Sequence, residues 1–155
     1  MDKTPEEIAK RAFEKQRLAA TKNKQEVTDK LFHKLEGQLR KVTPELFAKF
    51  LDEKGASRTC LSCGSNKLSV PEATTIDETK LPENMTDLTN EELVDVQIAA
   101  MTQYVNYSFI EKERMPRLSN VQYRVNCLNC GFVSHYRAYP VVQWVLDQEG
   151  ADKDE

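Results

Sequence analysis

Glycine is scarce in this chain, five in 155 residues, and scattered, which excludes a glycine-rich loop able to cradle phosphates. Histidine is scarcer still, two residues, and neither belongs to a His-Glu-x-x-His helix. No Gly-x-Ser-x-Gly elbow occurs for a nucleophile. Long apolar runs are absent as well: nothing approaches the ~18–20 residues of a membrane span. The first residues, Met1-Asp2-Lys3-Thr4-Pro5-Glu6-Glu7, are charged and lack the apolar stretch of a secretory leader. Acid pairs such as Glu91-Glu92 are accounted for by helix capping. These absences set the first expectations: a non-enzymatic, cytoplasmic protein with no membrane segment.

What is present is charge, unevenly spread. With 39% apolar and 30% charged residues, the chain supports one modest domain plus an extended helical arm. The net charge of −3 argues against a wholesale nucleic-acid binder. That average conceals a division, however. Residues 1–42 hold eleven Lys/Arg against seven Asp/Glu, whereas residues 72–95 hold eight Asp/Glu against Lys80 alone. A basic arm and an acidic segment can bind different partners, or each other, or simply be solvated surface.

All four cysteines fall in two like pairs, Cys60-Leu61-Ser62-Cys63-Gly64 and Cys127-Leu128-Asn129-Cys130-Gly131. Two Cys-x-x-Cys turns offer four thiolates, the ligand set of a structural tetrahedral zinc site. The glycine after each second cysteine allows positive φ, so backbone amides turn toward the sulfurs as the chain reverses. Cys60, Cys63, Cys127 and Cys130 are therefore the expected ligands of one Zn²⁺ per chain. Iron in a rubredoxin-like site is the alternative metal, and a redox dithiol or disulfide pair a third reading. Four protein ligands leave no coordination position for a reactive water, so the site reads as structural. His135 lies close behind Cys130, but the shell is complete without it; it reads as a half-exposed strand histidine, and His33 as a surface residue.

The flanks of the second knuckle are strand-like. Val121-Gln122-Tyr123-Arg124-Val125-Asn126-Cys127 alternates apolar and polar, and Phe132 to Tyr139 is rich in β-formers. A hairpin with metal at its tip follows. Here the chain resembles the zinc-ribbon superfamily, recurrent in transcription factors, RNA polymerase subunits, ribosomal proteins and small phage or bacterial proteins. The resemblance covers the two knuckles and their strands. It departs from the pattern in the 63 residues (64–126) between the knuckles, more than a compact ribbon needs.

The expected architecture is α+β: an N-terminal helical arm or hairpin, then a small antiparallel zinc-ribbon sheet with an inserted helix and a C-terminal helix. The expected divisions are a helical region 1–55, a zinc-ribbon domain 56–150 with insert 72–118, and a disordered acidic tail 151–155. Thr4-Pro5-Glu6-Glu7 writes a capping box with proline at the first helical position. Thr21-Lys22-Asn23 weakens or breaks the helix it opens. From Gln25 an amphipathic stripe follows: Val27, Leu31, Leu35, Leu39 and Val42. Thr43-Pro44-Glu45 opens a second helix that Gly55 stops, and Thr89-Asn90-Glu91-Glu92 a third, with Leu93, Val96 and Ala100 facing inward. Residues 72–88 read as a surface loop. Residues 104–110 read as a strand pairing with 121–126. A last helix ends at Gly150, with Trp144 half-exposed.

Function then divides by class. A zinc-ribbon module binding a protein partner, in transcription or phage–host regulation, is favoured. A nucleic-acid-binding ribbon is the alternative, and electron transfer on iron a minor one. Arg124, Tyr136 and Arg137 on the hairpin, and Lys24, Lys30, Lys34 and Lys41 on the basic helices, are the candidate contact residues, with Tyr123 and Tyr139 further rings for stacking. The stripe over 25–42 either packs within the chain or mediates self-association.

Overall fold

A computed structural model describes residues 4–153, with side chains through Ala151. The N-terminal capping box is formed in full. Glu7's amide donates to Thr4 Oγ1 and Thr4's amide to the Glu7 carboxylate, opening helix α1 over Pro5–Leu39. The helix is unbroken through Thr21, whose hydroxyl donates to the Arg17 carbonyl at 2.9 Å and so stays within the helical pattern. Only the end of α1 is covered. Every residue from Thr4 to Val27 is exposed, while Leu35 and Leu39 are buried.

After Val42 the chain turns into α2, Pro44–Glu53, capped by Thr43. Strand β1, Leu68–Ser69, leaves the first knuckle, and β2 covers Glu72–Ile76. Residues 72–88 are expected to form a loop, but 72–76 make a ladder with β3, Met101–Val105. Nothing near residue 72 supplies the partner strand, which lies beyond the second capping box and its helix α3, Asn90–Ala100. As the pattern predicts, Leu93 and Val96 are half-buried and Ala100 fully buried.

Strand β4, Tyr107–Phe109, pairs antiparallel with β5, Val121–Cys127, in register Tyr107↔Tyr123 and Phe109↔Val121, as expected for that part of 104–110, whereas Tyr104 and Val105 belong to β3 and pair with β2. Asn120 closes the intervening loop: its buried side chain accepts from the Glu111 amide at 2.9 Å and donates to the Glu111 carbonyl at 2.7 Å. Strand β6, Val133–Arg137, runs along the other edge of β5. β5 is thus the centre of the larger sheet, with β6 on one edge and β4 and β1 sharing the other.

The alternation read in β5 is the packing pattern observed. Val121, Tyr123, Val125 and Cys127 are buried; Gln122, Arg124 and Asn126 are not. The buried side meets Leu39, Val42, Phe47 and Phe50 from the first two helices, and Val141, Val142 and Val145 from α4, Ala138–Lys153. One apolar cluster therefore spans residues on both sides of position 55. Trp144 is buried, not half-exposed: its ring meets Phe50 edge-on at 6.0 Å, and its indole N–H donates to Glu53 at 2.9 Å. The last helix also continues past Gly150. Of the expected tail, 151–153 extend that helix and 154–155 lie outside the described residues. The architecture is α+β, and no described helix is long and apolar enough to cross a membrane.

Candidate metal centre

The two knuckles are built alike. Gly64 donates to the Cys60 carbonyl and Gly131 to the Cys127 carbonyl, each at 2.9 Å; Cys60 donates to Ser65 and Cys127 to Phe132, each at 2.8 Å. Both glycines take positive φ, 74° and 82°, as the turn requires. A further amide bond, Leu128 to the Lys67 carbonyl at 2.8 Å, sets one knuckle against the other. The ends of β1 and β5 carry them there, through the register Leu68↔Cys127.

This arrangement brings all four sulfurs within 4.8 Å of one another. Two separations across the knuckles are Cys60 Sγ to Cys130 Sγ at 3.6 Å and Cys63 Sγ to Cys127 Sγ at 3.7 Å. A disulfide needs about 2.05 Å, and all four thiols are free. A tetrahedron with metal–sulfur bonds of about 2.3 Å has sulfur–sulfur edges of about 3.8 Å. The donor set and its spacing fit a four-coordinate metal ion, held by Cys60, Cys63, Cys127 and Cys130.

The surroundings of the first knuckle favour thiolate. Amides of Ser62 and Cys63 point at Cys60 Sγ at 3.3 and 3.5 Å, and the Asn129 side-chain amide donates to Cys63 Sγ at 3.4 Å. The Cys63 amide, followed by that of Ser62, holds the Cys60 thiol below its ordinary range. Asn129 is the largest cause bringing Cys63 down to about 6. The Phe132 amide acts to lower Cys130 too, but neighbouring sulfurs and desolvation outweigh it and push that thiol up to about 11. Four anions in this volume repel one another; a bound cation removes the conflict.

The other candidates are dispersed. Arg124 and Arg137 are exposed on β5 and β6, and the Arg137 guanidinium lies 3.5 Å from the Ser119 carbonyl. Tyr136 is half-buried, edge-on to Phe47 at 6.0 Å. Tyr123 is fully buried, so it offers no ring for stacking, whereas Tyr139 is exposed. Lys24, Lys30 and Lys34 lie exposed on α1, while Lys41 is engaged by Glu149 at 3.1 Å. His33 and His135 are exposed, and neither joins the sulfur cluster.

Two features of the site escaped the sequence reading. Asn129 as a partner of Cys63 Sγ leaves no signal beyond its place inside the knuckle. Leu61 and Leu128, 73% and 70% exposed, do leave one. An apolar residue after the first cysteine of both turns sits at a tip with no core to enter. Comparison with protein-family models, curated proteins and solved structures finds no match for the chain.

Proposed function

We propose that the ion is zinc, and that the ribbon it holds is a rigid, non-catalytic platform on which a small regulatory protein binds a protein partner. The ligand set supports zinc, since four thiolates at structural spacing suit it and need no redox change. Free thiols of this kind also fit a reducing compartment such as the cytoplasm. The complete shell supports a non-catalytic role, because substrate has no open position to enter.

The observation that carries the platform reading is the pair of exposed leucines. A single exposed leucine needs no explanation. Leu61 and Leu128 occupy equivalent positions on two turns clamped to one centre, with Phe132, 40% exposed, beside the second. Apolar side chains on a backbone that cannot relax are what a partner pocket recognises at low entropic cost.

The test pairs metal analysis with binding. Purified protein is expected to be colourless, with about one zinc per chain. Leu61→Ser together with Leu128→Ser is expected to keep the zinc and the far-ultraviolet spectrum, and to lose a partner that the native chain captures from host extract. A red protein with sulfur-to-iron charge-transfer bands replaces zinc with iron. Submicromolar DNA or RNA binding at about 0.15 M salt, weakened by removing Lys24, Lys30 and Lys34, replaces the protein partner with nucleic acid.

A further inference from the structure

Two apolar faces of opposite charge stand without cover among the described residues. The first is on α1. In the exposed stretch Thr4–Val27, the residues Ala9, Phe13, Gln16, Ala20, Asn23 and Val27 recur at alternating steps of four and three, the spacing of a helix seam. Phe13 is 69% and Val27 54% exposed. Lys10, Arg17 and Lys24, seven residues apart, line one edge of the seam. Four of the six seam positions are apolar, Gln16 and Asn23 being polar, and helices in proteins draw most of their stability from packing such a face.

The second face is on α3. Leu93, Val96 and Ala100 pack inward, which leaves Val94 and Ile98 on the outside, 52% and 60% exposed, with Met101 just beyond the helix. Glu91 and Asp95 edge that outer face, within the acidic segment 72–95. It forms one wall of an open cleft of about 1360 Å³ lined also by Asp77 and Glu78, and another wall is made by His33 and Gly37 of the same chain's α1 with Arg40 and Lys41 just past that helix. Because α1 is one unbroken helix, its residues 4–27 continue away from that wall and cannot turn back onto their own α3.

We propose that the arm of one copy lies in the α3 cleft of a second copy, reciprocally, giving a closed two-fold dimer. The seam of Phe13, Ala20 and Val27 meets Val94 and Ile98, and the Lys10/Arg17/Lys24 edge meets Glu91 and Asp95. Charge selects this pairing over arm on arm. Two antiparallel arms set the cationic edges against each other, and two parallel arms offer those cations only Ala12 and Ala19. Exchange between two copies closes the assembly, whereas one-way docking leaves a free arm and a free cleft at its ends. The inference does not rest on the identity of the metal or of any other partner.

Sedimentation equilibrium on the metal-loaded full chain tests it. Wild type is expected to be dimeric, with an association that weakens as salt rises. Lys10→Glu/Arg17→Glu/Lys24→Glu is expected to weaken self-association about 100-fold or more, and Glu91→Lys/Asp95→Lys likewise, with circular dichroism and metal content unchanged. Mixing these two variants restores a dimer, because both contacts of the mixed pair are again complementary. Ile98→Gln, at an exposed position, weakens the dimer without altering charge and covers the case in which the lysine variant misfolds. A wild-type chain that is monomeric up to about 0.1 mM overturns the proposal. So does a dimer that neither Glu91→Lys/Asp95→Lys nor Ile98→Gln affects, which assigns the contact to arm on arm.

Discussion

Tyr123 is fully buried at the centre of β5, and its hydroxyl has no hydrogen-bond partner among the described residues. Its ring packs against Phe47 at 5.4 Å between centroids, so the site values the ring and not the oxygen. Tyr123→Phe keeps that packing and removes a desolvated polar group, an expected change between neutral and about 1 kcal/mol of added stability. Urea unfolding measures it; a loss above about 1 kcal/mol sinks the account. The same burial, with the Tyr107 phenol nearby, raises the Tyr123 pKa well above its ordinary value. A group raised on folding contributes stability that is complete below its unfolded pKa, about 10, and lost as pH climbs beyond it. The native chain is therefore expected to lose stability above about pH 10 more steeply than Tyr123→Phe does. At the knuckles, a Cβ on Gly64 or Gly131 meets nothing within 4 Å, so alanine there pays only for its positive φ. Each such variant is expected to cost about 1–2 kcal/mol without displacing a neighbour.

Elements were legible where the signal is local. The capping boxes at Thr4 and Thr89 are short-range hydrogen-bond patterns, and both are formed as written. β5 announced itself because one of its faces is dry and the other wet. The ladder of β2 left no such mark: its partner strand lies beyond a helix, and only the fold brings Glu72 opposite Val105. The burial of Trp144 leaves no local mark for the same reason, since the groups that cover it, Phe50 and Glu53, belong to another helix. The cysteines of the sulfur cluster were the most legible feature of all, because each pair is set by a four-residue spacing. At this scale the arm gives the sharpest forecast. Amides from Leu35 onward in α1 are expected to exchange at the rate of global unfolding, and those before Val27 far faster in dilute protein. Protection of residues 5–27 that grows with protein concentration is the signature of arm exchange. Uniform, concentration-independent protection contradicts the division of α1 into a covered end and an uncovered one.

On the scale of the whole molecule, the sulfur cluster ties the end of β1 to the end of β5, so metal release is expected to loosen the sheet and not merely the two turns. Cys127→Ser is expected to abolish metal binding and to leave a chain whose amide spectrum collapses around 121–137 while α1 keeps its helicity. The ladder between β2 and β3 bears on this. The Asn106 amide donates to the Pro71 carbonyl at 2.9 Å, directly below the Glu72↔Val105 pair. The chain therefore leaves the larger sheet and re-enters it at one point, and residues 73–104 extend from a stem that is already closed. Loop-closure cost rises by only about 0.6 kcal/mol per doubling of length, and a closed stem removes most of even that dependence. Replacing 73–104 with Asn-Gly, a two-residue hairpin turn, is expected to shift metal affinity by less than about 1 kcal/mol. The shortened chain carries no α3 and is expected to be monomeric. The stem thus works as a graft junction: what hangs beyond it can lengthen, shrink or change its charge while the metal centre stays indifferent.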